Sequence, residues 1–246
     1  MKIIKEIFGR IWALWAIIMF VLSMLVFFVP FLLFCHYKKE PLKTYRFISF
    51  SRVWMGIFLV SIGCPLRVKG RENFIKGKNY VVLCNHNSFM DVPVSSPSIP
   101  GGNKTIAKVE ISKVPLFGLL YKTGSVLVNR KSDSSRKDSY NKMKEVLSMG
   151  LHMCIYPEGT RNKSDDPLKS FHSGAFRLAK DTGKAIVPAL IFNTRKVLPA
   201  EKIFYAMPHP LQIHFLPAVE VGESSAEDLR EQVYSIMKEY YINHNK

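Results

Sequence analysis

Acidic side chains are scarce in this sequence. Nineteen Asp and Glu stand against 35 Lys and Arg among 246 residues, a formal net charge of +16, and such an imbalance calls for a partner of opposite sign. Cysteine is scarcer still. The four thiols (Cys35, Cys64, Cys84 and Cys154) form no C-x-x-C pair and show no metal-ligand spacing, which excludes a zinc module and a disulfide framework. They read as small core hydrophobes in a reducing compartment. No Cys/His finger and no RNA-binding signature accompanies the charge, so it does not point to nucleic acid. Around Ser88 the glycines of a serine-hydrolase G-x-S-x-G turn are missing. There is no internal repeat, low-complexity tract or dividing linker, and the chain is long enough for one good core.

Apolar sequence is concentrated at the N-terminus. Ile11 to Cys35 is apolar except for Ser23 and Pro30, long enough to cross a bilayer. The bulky Phe-Leu-Leu-Phe before Cys35 argues against a cleaved signal peptide or a lipoprotein site. A second stretch, Val53 to Pro65, is short for a span. Residues 36–46 between them are basic, and Lys2, Lys5 and Arg10 make the other flank basic too, so full crossings would carry positive charge across the membrane. The expectation is a helical pair lodged in one leaflet, facing the cytoplasm at the cell (inner) membrane and aided by anionic lipid. Residues 1–66 then form the anchor and 67–246 a second, α/β part.

Beyond the anchor the chain alternates between short apolar runs and amphipathic segments. Strands are predicted at 80–84, 125–129, 151–156, 185–192 and 211–216, and helices at 135–149, 173–182 and 226–241. Tyr140, Met143, Val146 and Leu147 share one face of the first helix. Leu229, Val233, Ile236, Met237 and Tyr240 do so in the last, with Ser224-Ser225 offering its N-cap. Helices between short buried strands predict an α/β fold, a mixed and largely parallel sheet covered on both faces.

Two polar strings fall at the ends of predicted strands, where such folds keep their sites. Asn85-His86-Asn87-Ser88-Phe89-Met90-Asp91 follows Tyr80–Cys84, and Pro157-Glu158-Gly159-Thr160-Arg161 follows 151–156. His86 is the side chain of the first string able to take a proton near neutral pH, and Asp91 can fix its tautomer. Residues five apart on one helix are about 7.5 Å apart along its axis. His86 is therefore expected in the loop before a helix, with Asp91 in the first turns reaching back and Asn87-Ser88 as capping residues.

These strings resemble blocks of the glycerolphosphate acyltransferase superfamily, most closely the 1-acylglycerol-3-phosphate acyltransferases. N-H-x-x-x-x-D is matched by Asn85, His86 and Asp91, and F-P-E-G-T-R by Pro157 to Arg161 with Tyr156 in place of Phe. Gly124 to Arg130 is similar to G-x-x-F-I-x-R, Lys108 to Gly118 to K-x-E-L…P-x-F-G, and Ile186 to Ala189 to a short Pro-containing strand. The resemblance covers residues 80–190 and implies transfer of an acyl group from a thioester of coenzyme A or acyl-carrier protein to the sn-2 hydroxyl of 1-acylglycerol 3-phosphate. It also makes a two-helix anchor the expected form of the N-terminus.

On that reading His86 is the general base with Asp91 behind it, and no metal or bound cofactor takes part. Lys108, Arg130 and Arg161 would hold the substrate phosphate, with Gly159 and Thr160 letting the backbone come close. Glu158 would belong to the same phosphate-binding set by orienting Arg161 or the turn, and N–H groups near Gly159 would serve the oxyanion. His172 stands where the family often has Lys. The basic run Lys131, Arg136, Lys137, Lys142 and Lys144 suits a solvated face as well as docking to anionic lipid or a carrier protein. Three alternatives stay open: a different lysolipid such as a lyso-ornithine lipid, hydrolysis of the thioester, or lipid binding without catalysis.

Overall fold

The computed structural model describes residues 2–129 and 132–245. Seven strands form one sheet in the order β1-β7-β6-β2-β5-β3-β4: β1 (Leu66–Lys69), β2 (Val81–Cys84), β3 (Asn103–Lys108), β4 (Ser125–Val128), β5 (His152–Ile155), β6 (Ile186–Phe192) and β7 (Leu211–Phe215). Every neighbouring pair is parallel except β6 and β7. All residues of β2, β5 and β6 are buried, as expected of central strands covered on both faces, which read as unbroken apolar runs.

The period of two then divides the core. Val82, Cys84, Val187, Ala189 and Ile191 point to one face, and Val81, Leu83, Ile186 and Leu190 to the other. On the first face lie α1 (Lys2–Phe31, extended by a π turn over Leu32–His36), α2 (Leu42–Ser61), α3 (Asp91–Ser98) and α4 (Phe117–Thr123). On the second lie α5 (Asp133–Ser148), α6 (Gly174–Thr182) and α8 (Ala226–His244); α7 (Thr194–Val197) is a single turn. Ser225 caps α8 through a reciprocal box with Asp228.

The N-terminal part differs from the hairpin anchor expected of it. α2 begins at Leu42, so Lys43 and Arg46 of the expected basic loop are helical. Its Phe47, Ile48, Trp54, Met55, Phe58 and Leu59 are buried in the same core as Val82 and Val187. α1 runs antiparallel along α2, with Trp12 Nε1 donating to Ile62 O at 3.2 Å, Trp54 Nε1 to Ser23 Oγ at 3.0 Å and an Arg46 nitrogen to Phe34 O at 3.2 Å. Both ends of α1 are tied to the body. Gly9 O accepts Ala206 N–H at 3.0 Å, and Glu40, just past the far end, accepts from Lys104 Nζ at 2.7 Å. The outward face of α1, from Ile3 to Val29, is apolar and exposed. α1 with its π turn is long and apolar enough to cross a membrane, and little of it is buried.

Candidate active site

β2, β5, β3 and β4 are parallel neighbours, so their C-terminal ends share one edge. The two polar strings leave β2 and β5 there, and Lys108 closes β3. Arg130, the expected phosphate ligand after β4, lies outside the described residues, as does Lys131.

His86 sits in the loop before α3, and Asp91 is that helix's first residue. His86 Nδ1 is 2.7 Å from Asp91 Oδ2. The same oxygen accepts the N–H groups of Asn87 at 2.6 Å and Ser88 at 2.8 Å. Asp91 thus reaches back from the helix start to bind N–H groups of the loop, and no described side chain caps the helix itself, the role expected of Asn87-Ser88. Ser88 Oγ instead donates to Leu198 O at 2.7 Å and accepts Met90 N–H, a turn-forming role that leaves it no part as a nucleophile. Asp91 is fully buried, and its Oδ1 has no hydrogen-bond partner. Asn85, one residue earlier, extends the sheet with its side chain, donating to Ile191 O at 3.0 Å and accepting Ile191 N–H at 2.7 Å.

The second string grips the backbone of the first. His86 N–H donates to Glu158 Oε1 at 2.8 Å, and His86 O accepts Asn162 N–H at 2.6 Å. Glu158 Oε2 accepts Lys169 N–H at 3.1 Å. Glu158 is thus corrected from the head-group set: its carboxyl is buried, joins two loops, and is absent from the cavity wall described below. Burial pushes its pKa up to about 7, against the pull of the two N–H donors. Two of the N–H groups near Gly159 expected to serve the oxyanion are engaged within the turn. Gly159 N–H is used on Tyr156 O at 3.0 Å and Thr160 N–H on Glu158 O at 2.8 Å. Gly159 is needed for its backbone, whose φ of +69° side-chain-bearing residues rarely adopt, and its bare Cα leaves room for the His172 ring, 2.8 Å from where a Cβ would lie. His172 packs over this glycine.

A cavity of about 1400 Å³ opens at His86. One end is cationic, with Lys108, Arg161, Lys163, Lys169 and Thr160. The other runs between α1, α2 and α4, past Ala16, Phe20, Phe47, Trp54, Phe58 and Phe117. Arg161 stacks its guanidinium 3.8 Å above the Phe89 ring, and Lys169 Nζ donates to Thr160 Oγ1 at 2.7 Å. Lys163 and Lys169 were not legible as site residues. In a chain this basic the residue type carries no signal, and only the fold of the loop after Arg161 brings them to the cavity. The basic run of α5 lies on the opposite face of the sheet, with Arg136 paired to Asp133 and Lys144 to Asp181.

Known proteins resemble this chain in sequence and in fold. The acyltransferase family model matches residues 65–192. A chloroplast 1-acyl-sn-glycerol-3-phosphate acyltransferase of Arabidopsis thaliana is 32% identical over 183 residues, 73% of this chain and 49% of the plant protein, so the chain spans about half that relative's length. The 1-acyl-sn-glycerol-3-phosphate acyltransferase of Borreliella burgdorferi is 28% identical over 192 residues, 78% of this chain and 76% of its own. The crystal structure of the 1-acyl-sn-glycerophosphate acyltransferase of Thermotoga maritima shares the architecture, with a TM-score of 0.78 and 23% identity over 96% of both chains. On the match of that model over more than half of its length, the chain belongs to the acyltransferase family.

Proposed function

We propose that the protein is a 1-acyl-sn-glycerol-3-phosphate acyltransferase held at a membrane surface, forming phosphatidate from lysophosphatidate and an acyl thioester. The observation that carries this reading is the place of His86. Its Nδ1 is on Asp91, which leaves Nε2 for a substrate hydroxyl, at the junction of a cationic pocket and an apolar arm.

Each part has a task in this chemistry. Arg161, Lys108, Lys163 and Lys169 neutralise a phosphomonoester, Arg161 through its planar fork. Arg130 joins them on the strength of the sequence block. The apolar arm takes a hydrocarbon chain. His86 Nε2 removes the proton from the sn-2 hydroxyl as its oxygen attacks the thioester carbonyl. The C–S bond then breaks, and the departing thiolate takes the proton back from the imidazolium. Asp91 keeps Nδ1 protonated throughout and stabilises the cation.

Membrane attachment is supported by α1. A helix tied to the body at both ends and apolar along its outer face suits burial in one leaflet better than a crossing.

The reading is tested with an acceptor and donor panel on the purified protein: lysophosphatidate against other lysolipids, and acyl-coenzyme A against acyl-carrier protein. Esterification that prefers lysophosphatidate is expected. Thiol release independent of any lysolipid would assign a hydrolase, and preference for a phosphate-free acceptor would sink the head-group assignment.

A further inference from the structure

We propose that the loop over residues 199–206 is a second lipid-inserting element, in which Ile203 and Phe204 enter the leaflet beside the first turns of α1 and form the hydrocarbon-wetted lip of the cavity. The proposal rests on the membrane reading of α1 given above, and extends it to a part of the α/β body that no sequence block marks.

The first observation is exposure without looseness. Ile203 is 89% exposed, the most of any large apolar residue among those described, and Phe204 is 47% exposed. The residues on either side are held. Ala206 N–H donates to Gly9 O at 3.0 Å, and Lys202 is paired with Glu6 and lies over the Tyr205 ring. Tyr205 and Ala206 are buried. Tyr205 packs so closely on α1 that a Cβ at Gly9 would lie 2.2 Å from its Cε2. Phe204 has φ of +50°, a conformation that aromatic residues rarely adopt. Two fixed neighbours and a left-handed turn thus present two apolar side chains to the outside, where water alone gives no return for the strain.

The second observation is continuity. Glu6 and Gly9, which receive the loop, belong to the turns of α1 whose outer residues Ile3, Ile4, Ile7 and Phe8 are exposed. The lip therefore prolongs an apolar face that runs along the whole of α1, and a bilayer is the occupant that covers such a face without shape complementarity. The third is charge. Lys2, Lys5 and Arg10 on α1, with Lys196 before the loop, outnumber Glu6, which Lys202 already pairs, and Glu201, leaving a basic fringe matched to anionic head groups. The fourth is position. Ile203 and Phe204 also line the cavity, together with Trp12 and Ile17 of α1. A lysolipid that slides between lip and helix keeps its chain in hydrocarbon from leaflet to cavity.

Insertion is measured directly. An Ile203→Cys protein is labelled with the environment-sensitive fluorophore NBD; the native thiols are buried. It is then mixed with vesicles of phosphatidylcholine and phosphatidylglycerol, with or without a nitroxide on the acyl chain. Val26→Cys on the outer face of α1 and Lys142→Cys on α5 are labelled in parallel. Positions 203 and 26 are expected to brighten and to be quenched by the nitroxide lipid, and position 142 to do neither. Quenching at 26 but not at 203 overturns the lip and leaves the anchor standing; quenching at neither overturns both. As a second arm, the double variant Ile203→Asp/Phe204→Asp should partition into the same vesicles about tenfold less well or worse, two apolar insertions having been lost. Unchanged partitioning counts against the proposal.

Discussion

The ring of Tyr156 lies stacked on the ring of His86, with centroids 4.5 Å apart and planes 29° apart. Tyr156 is in turn pinned to α3 by its hydroxyl, 2.7 Å from Ser95 Oγ, and burial keeps the phenol's pKa well above its ordinary value and the group neutral. The imidazole is thus fixed on its edge by Asp91 and on its face by Tyr156. On the proposed reading, a base held in two directions needs no reorganisation when a hydroxyl arrives.

The stack should therefore matter more than the hydroxyl. Tyr156→Phe keeps the ring and is expected to retain kcat within about threefold, with a stability loss of about 1 kcal/mol for the missing hydrogen bond. Tyr156→Leu frees the face of His86 and should lower kcat about tenfold through misorientation, with KM for both substrates little changed. Steady-state kinetics and thermal unfolding of the two variants decide it. Equal kcat in both would make the stack mere packing.

His86→Ala is expected to lose at least about a hundredfold in kcat, the usual scale of general-base catalysis, while remaining folded with a smaller loss of stability than Asp91→Asn, since it removes one contact of the Asp91 carboxylate. Asp91→Asn should fail on both counts. An amide can keep its oxygen at the Oδ2 position, its NH₂ then taking the unpartnered Oδ1 position, but the charge that strengthens the contacts with His86, Asn87 and Ser88 is lost and a buried NH₂ is left without an acceptor. Losing such charge-assisted bonds costs about 2–4 kcal/mol. Activity and unfolding measured on both proteins separate the chemical role from the structural one. A His86→Ala enzyme with more than a tenth of wild-type kcat would remove the base from His86.

Glu158 gives the protein a pH signature. Its carboxyl is raised by burial to about 7, from an ordinary value of 4.5. Between those values the folded protein holds a proton that the unfolded chain has released, so stability falls as pH rises from about 4.5 to about 7, and levels off above. The loss amounts to about 3 kcal/mol at most. Glu158→Gln, which does not titrate, should lack this slope. Denaturant midpoints of the two proteins across the range provide the check, and parallel curves would mean that Glu158 is ionised throughout.

The cation cluster predicts a split between substrates. Arg161→Gln should raise KM for lysophosphatidate about tenfold or more while leaving KM for the acyl donor nearly unchanged. Arg161→Lys should recover little, because a point charge replaces a flat fork that stacks on Phe89. Lys169→Met should show the same pattern more weakly. Equal effects on both substrates would place these side chains in the framework.

Much of this was legible before the coordinates. The buried strands announced themselves because β2, β5 and β6 are apolar on both faces, and α8 because its cap and its apolar stripe agree. β1 and β3 did not. Leu66–Lys69 is a four-residue edge strand with two cations, and Asn103–Lys108 has only Ile106 and Ala107 as apolar residues, so its alternating burial has no apolar alternation to announce it. His86 and Asp91 were readable because five residues across a loop and a helix start allow one geometry. Tyr156 was noted as a departure from the family block, yet its stacking depends on β5 lying beside β2, which no local pattern encodes. Glu158 was misplaced for the same reason: its partners are backbone N–H groups 72 residues before and 11 after it.

The topology of α1 gives the last prediction. A helix of 30 residues spans about 45 Å, enough to cross a bilayer. Crossing would put its two ends on opposite sides, yet both are bound to one body: Glu6 and Gly9 to the 199–206 loop, and the turn after the helix to Lys104 through Glu40. Separating them would break these contacts and expose the α2 core that α1 covers. Lys5 and Lys39, exposed at the two ends, should therefore lie on the same side. In intact cells, Lys5→Cys and Lys39→Cys are both expected to resist a membrane-impermeant thiol reagent, and both to react once the membrane is opened. Labelling of either one alone from outside would show that α1 crosses, and the one-leaflet anchor would then have to be abandoned.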